Sequence, residues 1–456
     1  MTQRIPLRLP SLNDFGVDAR RLLLVSGLTA VNYLGIYNLL RTLYVLRLGF
    51  SAEYMGIYLS AGALTFMAMG VPSGALGARF GTRRIMLLGG WTMVIGMAIF
   101  PFAEFLPLAF RSAWPLVTQM VLTIGWSMFT VNQVPALMGA TTVQNRSPAY
   151  AMTSAVRSFG TFLGSLVGGI LPGIFAALLG RSTDTATPYS ASIWVGAALG
   201  LGALVPLMRI EVGRPVHPSQ ARLGRSSAFP VLAVALMVGY VYLRHAGWAA
   251  CQAYCNPYMD AGLRYSTLTI GVINGVGQVA AMAASLLLPR WTERLSHRWI
   301  LIASTLGVSG SMALLSIIPH WAAVGAGIVG IQVFSAIWLP TLQIFQMETI
   351  ASSWRGLAYG ATTMAMGLGF GSMSLVGGYA IEARGYRPVF LAGVILTVVA
   401  TPLLAVLLRK PSEGGDELPA ESHVCAEMPA LQDSDVQHGI AGRQEPVSTD
   451  GRAAAR

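Results

Sequence analysis

The chain contains the segment Arg146-Ser-Pro-Ala-Tyr150 followed by Ser165-Leu-Val-Gly-Gly169, and it repeats this pattern 209 residues later as Arg355-Gly-Leu-Ala-Tyr359 and Ser374-Leu-Val-Gly-Gly378. Both copies lie in apolar, glycine-rich sequence. A chance match would not keep the same 209-residue offset both in the loop and in the apolar segment that follows it. The repeat therefore indicates an internal duplication.

A second set of matches supports the duplication at a slightly different spacing. Ser51 and Gly56 recur 215 residues later as Ser266 and Gly271, and the arginines between 79 and 83 recur between 294 and 298. Repeated halves are common in membrane transporters, which hold their substrate near the membrane midplane where the halves meet.

The composition places the chain in a membrane. Of its 456 residues, 54% are hydrophobic and only 11% are charged. Segments such as 85–103, 299–319 and 388–408 carry no charge, and each has about the 20 residues that a helix needs to cross the hydrocarbon core. These apolar runs are continuous, whereas strands of a membrane barrel alternate apolar and polar residues. The sequence therefore predicts membrane-spanning helices.

We predict an all-α membrane protein with twelve transmembrane helices in two six-helix halves related by a pseudo-two-fold repeat. The predicted spans are 22–46, 52–77, 85–104, 112–141, 149–180, 190–208, 229–256, 267–289, 299–319, 321–350, 357–382 and 387–408. The predicted parts are an N-terminal arm (1–20), the first half (21–208), a linker (209–228), the second half (229–410) and a disordered acidic tail (411–456).

The basic residues predict the orientation. If the N-terminus is cytoplasmic, eighteen basic residues of the arm, loops and span ends fall inside and six fall outside. Cytoplasmic loops carry such an excess, so we expect a multi-pass protein of the inner (plasma) membrane with both termini in the cytoplasm. The net charge of +11 then reflects topology. A nucleic-acid partner is not expected, because the arginines are spread over separate cytoplasmic segments.

Two loops carry a recognisable signature. Gly74-Ala-Leu-Gly-Ala-Arg79-Phe-Gly81-Thr-Arg83-Arg84 resembles the loop motif G-x-L-a-D-R-x-G-R-R of the major facilitator superfamily, and the loop with Glu293, Arg294 and Arg298 is similar to its second copy. The segments at Arg146 and Arg355 resemble the family's loops before spans 5 and 11. The resemblance implies transport by alternating access, with these residues in gating loops. Simple anchoring by cytoplasmic arginines is the alternative. Ala78 replaces the family's Asp.

Span 5 contains a glycine motif. Gly160-Thr-Phe-Leu-Gly164-Ser165-Leu-Val-Gly168-Gly169 is similar to the family's G-x-x-x-G-P-x-x-G-G motif, which is associated with drug and proton antiporters, although Ser165 replaces the Pro. Glycines at this spacing also let helices approach closely, and we favour this packing role.

Three arginines lie well inside predicted spans, at Arg41, Arg157 and Arg244. Each costs about 2.5–3.5 kcal/mol to insert, so each is expected to face a cavity or a partner unless it reaches the membrane surface. Tyr33, Tyr37 and Arg41 share one helical face, and the 215-residue offset maps this face onto Trp248, Gln252 and Asn256. Two such faces would line a central cavity.

Further polar and aromatic residues are candidates for the same cavity. Histidine changes charge near neutral pH, which makes His245 the candidate for proton sensing. For the amides, hydrogen bonding between helices is an equally good interpretation. The complete predicted substrate-binding set is Tyr33, Tyr37, Arg41, Asn132, Gln133, Arg157, Tyr240, Arg244, His245, Trp248, Gln252, Asn274 and Gln278.

The sequence contains no pattern typical of an enzyme. It shows no nucleophile–base pair, phosphate loop or metal cluster, so we expect no catalytic residue, no metal and no cofactor. Cys251 and Cys255 are expected to be small packing residues, because a disulfide at this spacing would strain a helix.

The predicted function is secondary transport of a small organic solute by a monomer in contact with membrane lipid. Arginines without nearby acids favour an organic anion as the substrate, and protons are a candidate coupling ion. Efflux of amphipathic drugs is the alternative within this class. A membrane sensor without transport activity, signalling through the acidic tail, is the alternative from another class.

Overall fold

The computed structural model of the chain describes residues 15–211, 231–292, 294–318, 320–350 and 354–409. Outside these ranges lie most of the predicted arm (1–20), nearly all of the linker (209–228), the tail (411–456) and Glu293. The side chains of Arg146 and Arg355 also lie outside the description. Every regular element within the described ranges is a helix, which confirms the predicted all-α class.

Each half contains six long helices. The first half has α1 (Val17–Arg47), α2 (Ala52–Phe80), α3 (Thr82–Glu104), α4 (Ala113–Gly139), α5 (Val143–Leu179) and α6 (Thr187–Met208), with one short helix, Leu108–Arg111, before α4. The second half has α7 (Val231–Gly262), α8 (Thr267–Thr292), α9 (His297–Ile317), α10 (Trp321–Thr349), α11 (Arg355–Arg384) and α12 (Tyr386–Arg409).

Eleven of these helices are long and apolar enough to span a membrane over the described residues. The exception is α4, which has a similar length but carries the buried polar residues Gln119, Thr123, Ser127 and Asn132. Polar groups inside a membrane protein must find partners within the protein. The polarity of α4 therefore fits a helix whose polar side chains point into the bundle.

The repeated serines begin equivalent helices. The hydroxyl oxygen of Ser51 accepts a hydrogen bond from the backbone N–H of Tyr54 at 3.3 Å at the start of α2, and that of Ser266 accepts one from Thr269 at 3.2 Å at the start of α8. Such N-caps satisfy backbone donors that the first helical turn leaves unpaired. The recurrence of Ser51 as Ser266 is thus a repeated helix start.

The repeated glycines form the contact between the halves, where α2 packs against α11 and α5 packs against α8. A Cβ atom on Gly56 would lie 2.6 Å from the carbonyl oxygen of Ser374, and one on Gly271 would lie 2.5 Å from that of Ser165. The Ser-Leu-Val-Gly-Gly segments of α5 and α11 therefore each face a glycine of the other half. The duplication is visible as two symmetric close contacts.

Replacing Gly271 by alanine should lower the thermal unfolding midpoint by a few degrees, because overpacking a close contact costs about 1–3 kcal/mol. Gly310→Ala on α9 is the matched control, since a Cβ atom there meets nothing within 4 Å. Fluorescence-monitored unfolding of the purified variants measures both. An equal midpoint for the two variants would contradict the assigned α5–α8 contact.

Candidate functional site

An ion pair joins the two halves at one end of the bundle. The guanidinium of Arg47, at the end of α1, donates two hydrogen bonds to the carboxylate of Asp260, near the end of α7, at 2.6 and 2.7 Å. The Asp260 side chain is 4% exposed and that of Arg47 is 17% exposed. We call this pair the latch, its end of the bundle the latch end, and the opposite end, with Arg79 and Arg294, the basic end.

The arginine at position 157 lies between the helices of the first half and is exposed. Its guanidinium carbon lies 5.6 Å from the ring centroid of Trp126, which in turn lies 4.5 Å from that of Tyr33. No described carboxylate forms an ion pair with Arg157. Arg157 therefore offers an accessible positive charge beside two aromatic rings.

A cluster of amide side chains lies further along the same face of α5, next to Thr161 and Ser165. It surrounds a cavity of about 60 Å³ that both halves line. The Asn274 amide donates to the Asn256 side-chain oxygen at 2.9 Å, and the Oε1 atom of Gln332 is buried without a hydrogen-bond partner. We call this group the amide cluster, and its members are Asn38, Gln252, Asn256, Asn274, Gln278 and Gln332.

The structure places Arg244 inside the second half, where it is 1% exposed. Its guanidinium carbon lies 3.9 Å from the Trp338 ring centroid, and Nη2 donates to the Ser335 hydroxyl at 3.3 Å. Tyr240 is also buried, with its hydroxyl 2.8 Å from the Thr305 hydroxyl. In this conformation both residues pack α7 against α9 and α10. They do not share an exposed site with Arg157.

Two further candidates on α7 lie beside the cluster around Arg244. The His245 ring centroid lies 4.6 Å from that of Trp248, and its Nδ1 atom is buried without a partner. Trp248 also contacts Phe370 of α11 at 6.1 Å between centroids. These rings form an aromatic contact within the second half.

The structure uses most of the remaining candidates of the first half in helix packing. Tyr37 is fully buried, and its hydroxyl lies 3.0 Å from that of Tyr58. The Asn132 amide donates to the Ser73 carbonyl at 3.0 Å, and the Gln133 amide donates to the Ser26 hydroxyl at 2.5 Å. Contacts of this kind match the alternative in which the amides join helices.

The arginine at position 41 lies towards the latch end of the first half. Its side chain is partly buried, and its guanidinium carbon lies 5.9 Å from the Tyr37 ring centroid. The Nε atom of Arg41 is buried without a hydrogen-bond partner.

The signature loop of the first half makes contacts within that half. Gly81 joins α2 to α3 with a φ of +93°, a conformation that favours glycine. Arg83 donates to the carbonyl oxygen of Met208 at the end of α6, which offsets the negative helix terminus. Arg79, Arg84, Arg294 and Arg298 are exposed, and Gly74 lies near Val131 of α4.

The expectation for the two cysteines is corrected by the structure, which joins Cys251 and Cys255 in a disulfide. Their Cα atoms lie 5.0 Å apart, because residues four apart on a helix are neighbours, and this separation is within the range for a disulfide. Both cysteines are buried beside the amide cluster.

Arg244→Gln should lower the thermal unfolding midpoint while changing the binding of anionic ligands less than about twofold. The substitution removes the cation from its position over Trp338, a contact that contributes about 2 kcal/mol or more where it is desolvated. Unfolding and ligand titration on the same purified sample measure both effects. A normal unfolding midpoint with lost anion binding would instead give Arg244 a direct role in the site.

The profile of the Major Facilitator Superfamily matches residues 22–255 and 245–437, and the two overlapping matches together cover both halves. The chain belongs to the major facilitator superfamily. It is therefore a multi-pass membrane transporter and not an enzyme. As in the family generally, its substrate is a small molecule.

Similar proteins and structures are consistent with this assignment. The multidrug resistance protein MdtH of Yersinia pestis (strain Pestoides F) is 24% identical over 379 residues, which cover 81% of this chain and 89% of the relative. MdtH of Yersinia pseudotuberculosis (strain YPIII) matches equally well.

Solved structures show the same fold. The nucleoside transporter NupG has a TM-score of 0.64 at 14% identity and covers 86% of this chain and 99% of its own. A bacterial homolog of the human lysosomal transporter Spinster, in an inward-facing and occupied conformation, has a TM-score of 0.68 at 14% identity, covering 86% and 96%. At this identity the likeness concerns the fold alone.

The prediction from sequence omitted three groups at the functional surfaces. The sequence alone did not identify Arg47 and Asp260 as a pair, and the predicted substrate-binding set does not include Asn38, Gln332 or Trp126. One signal was present: the 215-residue offset maps Arg47 onto Gly262, two residues from Asp260. A charge at the equivalent end of each half is a candidate for pairing across the halves.

Proposed function

We propose that the chain transports an organic anion with an aromatic or other apolar part, by alternating access between its two halves. The observation that carries this proposal is Arg157, an exposed arginine within the bundle that has no ion-pair partner among the described residues. A cation in such a place is costly unless something compensates it, and an anionic substrate would do so.

The surroundings of Arg157 support the second part of the proposal. The partly exposed ring of Trp126, packed against the buried ring of Tyr33, gives the site an apolar surface on one side of the guanidinium. The amide cluster lies next to Thr161 and Ser165, about one and two turns along α5 from Arg157. Its side chains can donate and accept hydrogen bonds. An amphipathic anion with a polar substituent would use the charge, the rings and the amides together.

We further propose that the basic end faces the cytoplasm, with both termini on that side of the inner membrane. The excess of arginines at this end supports the orientation. The latch then closes the outer end. We propose a monomer as the working unit, and protons remain the candidate coupling ion, with His245 as the residue to test.

Efflux of amphipathic compounds is the second candidate function. The relatives named MdtH are described as multidrug resistance proteins. Within this chain, the rings of Trp126, Tyr33, Trp248 and Phe370 favour planar apolar compounds. Under this alternative, organic cations such as ethidium would bind as well as anions, because the rings would determine binding and Arg157 would not.

Ligand-induced thermal stabilisation separates the two candidates. A ligand that binds only the folded state raises the unfolding midpoint, and the rise increases with the ratio of its concentration to its Kd. We expect p-aminohippurate, an aromatic carboxylate, to stabilise the purified protein, and its neutral amide and ethidium to have little effect. Stabilisation by the amide or by ethidium that equals or exceeds that by p-aminohippurate would reject the organic anion and favour multidrug efflux.

A further inference from the structure

A groove of about 840 Å³ lies between α5 and α8 at the latch end, apart from the amide cluster. Its floor contains Gly173 and Ala177, which lie four residues apart and therefore on one face of α5, while Gly169, one turn earlier, is buried against Thr267 and Gly271 of α8. The flanking side chains Ile170 and Leu268 are 44% and 47% exposed. In a membrane-spanning chain, such a smooth apolar strip is open to the hydrocarbon of the bilayer.

One rim of the groove can bind a phosphate. Ser266, Thr267 and Leu268 line it at the start of α8, where backbone N–H groups lack partners within the helix and the helix dipole is positive. Arg264 lines the same rim, and its side chain has no acidic partner within the described part of the chain. Guanidinium groups at helix N-termini are well suited to phosphate groups.

The opposite rim carries a negative charge. Asp184, in the loop between α5 and α6, lines the groove and is exposed. Its carboxylate lies 3.2 Å from the Ser182 hydroxyl, and no described cation pairs with it. The other two charges of the lining, Arg47 and Asp260, neutralise each other in the latch. The groove therefore offers one cation and one anion to a ligand.

We propose that this groove is a binding site for a zwitterionic phospholipid whose headgroup carries a primary ammonium. The phosphate binds at Arg264 and the start of α8, the ammonium donates to Asp184, and an acyl chain lies along Gly173 and Ala177. Charge complementarity favours this ligand, because its ammonium can pair with Asp184 while its phosphate pairs with Arg264, whereas a single anion can pair only with Arg264. The site is separate from the proposed substrate site and does not depend on the identity of the substrate.

Binding in this groove has a conformational consequence. The lining comes from both halves, with Asp184 and Gly173 from the first and Arg264 and Leu268 from the second. A ligand that contacts both halves shifts the protein towards conformations that keep those surfaces together. The bound lipid therefore stabilises the state in which the latch is closed.

Lipid titration of the purified full chain in detergent tests the proposal, with phosphatidylethanolamine, phosphatidylcholine and phosphatidylglycerol as probes and native mass spectrometry as the readout. Phosphatidylethanolamine should bind best, since phosphatidylcholine has no ammonium N–H and phosphatidylglycerol has no cation. Arg264→Gln should weaken its binding about tenfold, as expected for a lost charge-assisted hydrogen bond. Asp184→Asn should remove the preference over the other two lipids.

Two variants complete the experiment. Gly173→Leu places a bulky side chain on the apolar floor, at a position where a Cβ atom meets nothing within 4 Å, and it should reduce binding of all three lipids. Arg181→Gln is the control, an exposed arginine of the same loop as Asp184 that does not line the groove. If Arg264→Gln fails to fold, the other two groove variants still test the site.

Three results would overturn the proposal. Equal affinity of the wild-type protein for the three lipids would mean nonspecific lipid contact. Equal affinity of the groove variants and of Arg181→Gln for phosphatidylethanolamine would mean the same. Displacement of the lipid by ethidium or p-aminohippurate at the concentrations that stabilise the protein would instead make the groove a passage for transported compounds.

Discussion

Arg157→Gln is expected to weaken the binding of p-aminohippurate about 10- to 100-fold, because a hydrogen bond between charged groups contributes about 1.5–3 kcal/mol. Binding of the neutral amide should stay unchanged, since Trp126 and Tyr33 remain in place. Isothermal titration of both ligands on purified protein measures the two affinities. The selectivity for the anion, rather than affinity in general, is the quantity that should be lost.

Two control variants make this result specific to position 157. Arg157→Lys keeps the charge but loses the planar guanidinium beside Trp126, so we expect an intermediate affinity. Arg41→Gln removes another arginine of the first half, which lies beside Tyr37, and should change binding less than about twofold. A loss of less than twofold in Arg157→Gln, or the same loss in Arg41→Gln, would contradict the assigned anchor.

Asp260→Asn should shift the protein from the latched conformation to one with the latch end open. Removing one partner of a buried ion pair costs about 3–5 kcal/mol, because the other charge stays buried without compensation. A difference of about 5.5 kcal/mol is enough to reverse a 99:1 population, so a shift of this size is large. The partial exposure of Arg47 places the expected effect towards the lower end of the range.

Distances between spin labels at the latch end measure this shift. Ser182 and Arg384 are exposed sites at that end, one in each half. After the three native cysteines are replaced, labelled cysteines at these two sites report the distance between the halves. The distance distribution should move to longer values in Asp260→Asn. It should return towards the wild-type distribution when the charges are exchanged, with Arg47→Asp and Asp260→Arg together.

The control for the latch is Arg387→Gln, which removes an exposed arginine near the start of α12 at the same end. Its distance distribution should match the wild type. If Asp260→Asn and Arg387→Gln give the same distribution, the latch does not hold the halves together, and closure at this end depends on other contacts, such as the glycine contacts and the Tyr189–Thr267 hydrogen bond.

Most of the fold could be predicted because it depends on local signals and on the duplication. Uncharged segments locate the helices, as for the predicted span 299–319 and the observed α9, His297–Ile317. The repeat of Gly56 as Gly271 indicated equivalent positions, and both turned out to lie in the contacts between the halves. Apolar runs and repeated residues carry this information without any knowledge of the packing.

The candidate site could be predicted only in part, because burial depends on distant residues. Arg157 and Arg244 look alike in sequence, as single arginines within apolar spans. The Trp338 ring of α10 covers Arg244, whereas Arg157 stays exposed beside Trp126. Helical periodicity places each arginine on a face of its helix but does not say which neighbour covers that face.

The latch could not be predicted for a related reason. Arg47 and Asp260 are separated by 213 residues, and each lies near the end of a span. Charges at span ends are common, since they reach water or lipid headgroups there. Only the packing of α1 against α7 reveals that these two charges bind each other.

Exchange transport is the most direct test of the account, which holds that the protein moves an organic anion through a site built around Arg157. Proteoliposomes preloaded with unlabelled p-aminohippurate should take up the radiolabelled compound from outside faster than empty liposomes and faster than proteoliposomes with Arg157→Gln. Uptake equal to that of empty liposomes, together with transport of ethidium by the same preparation, would contradict the account.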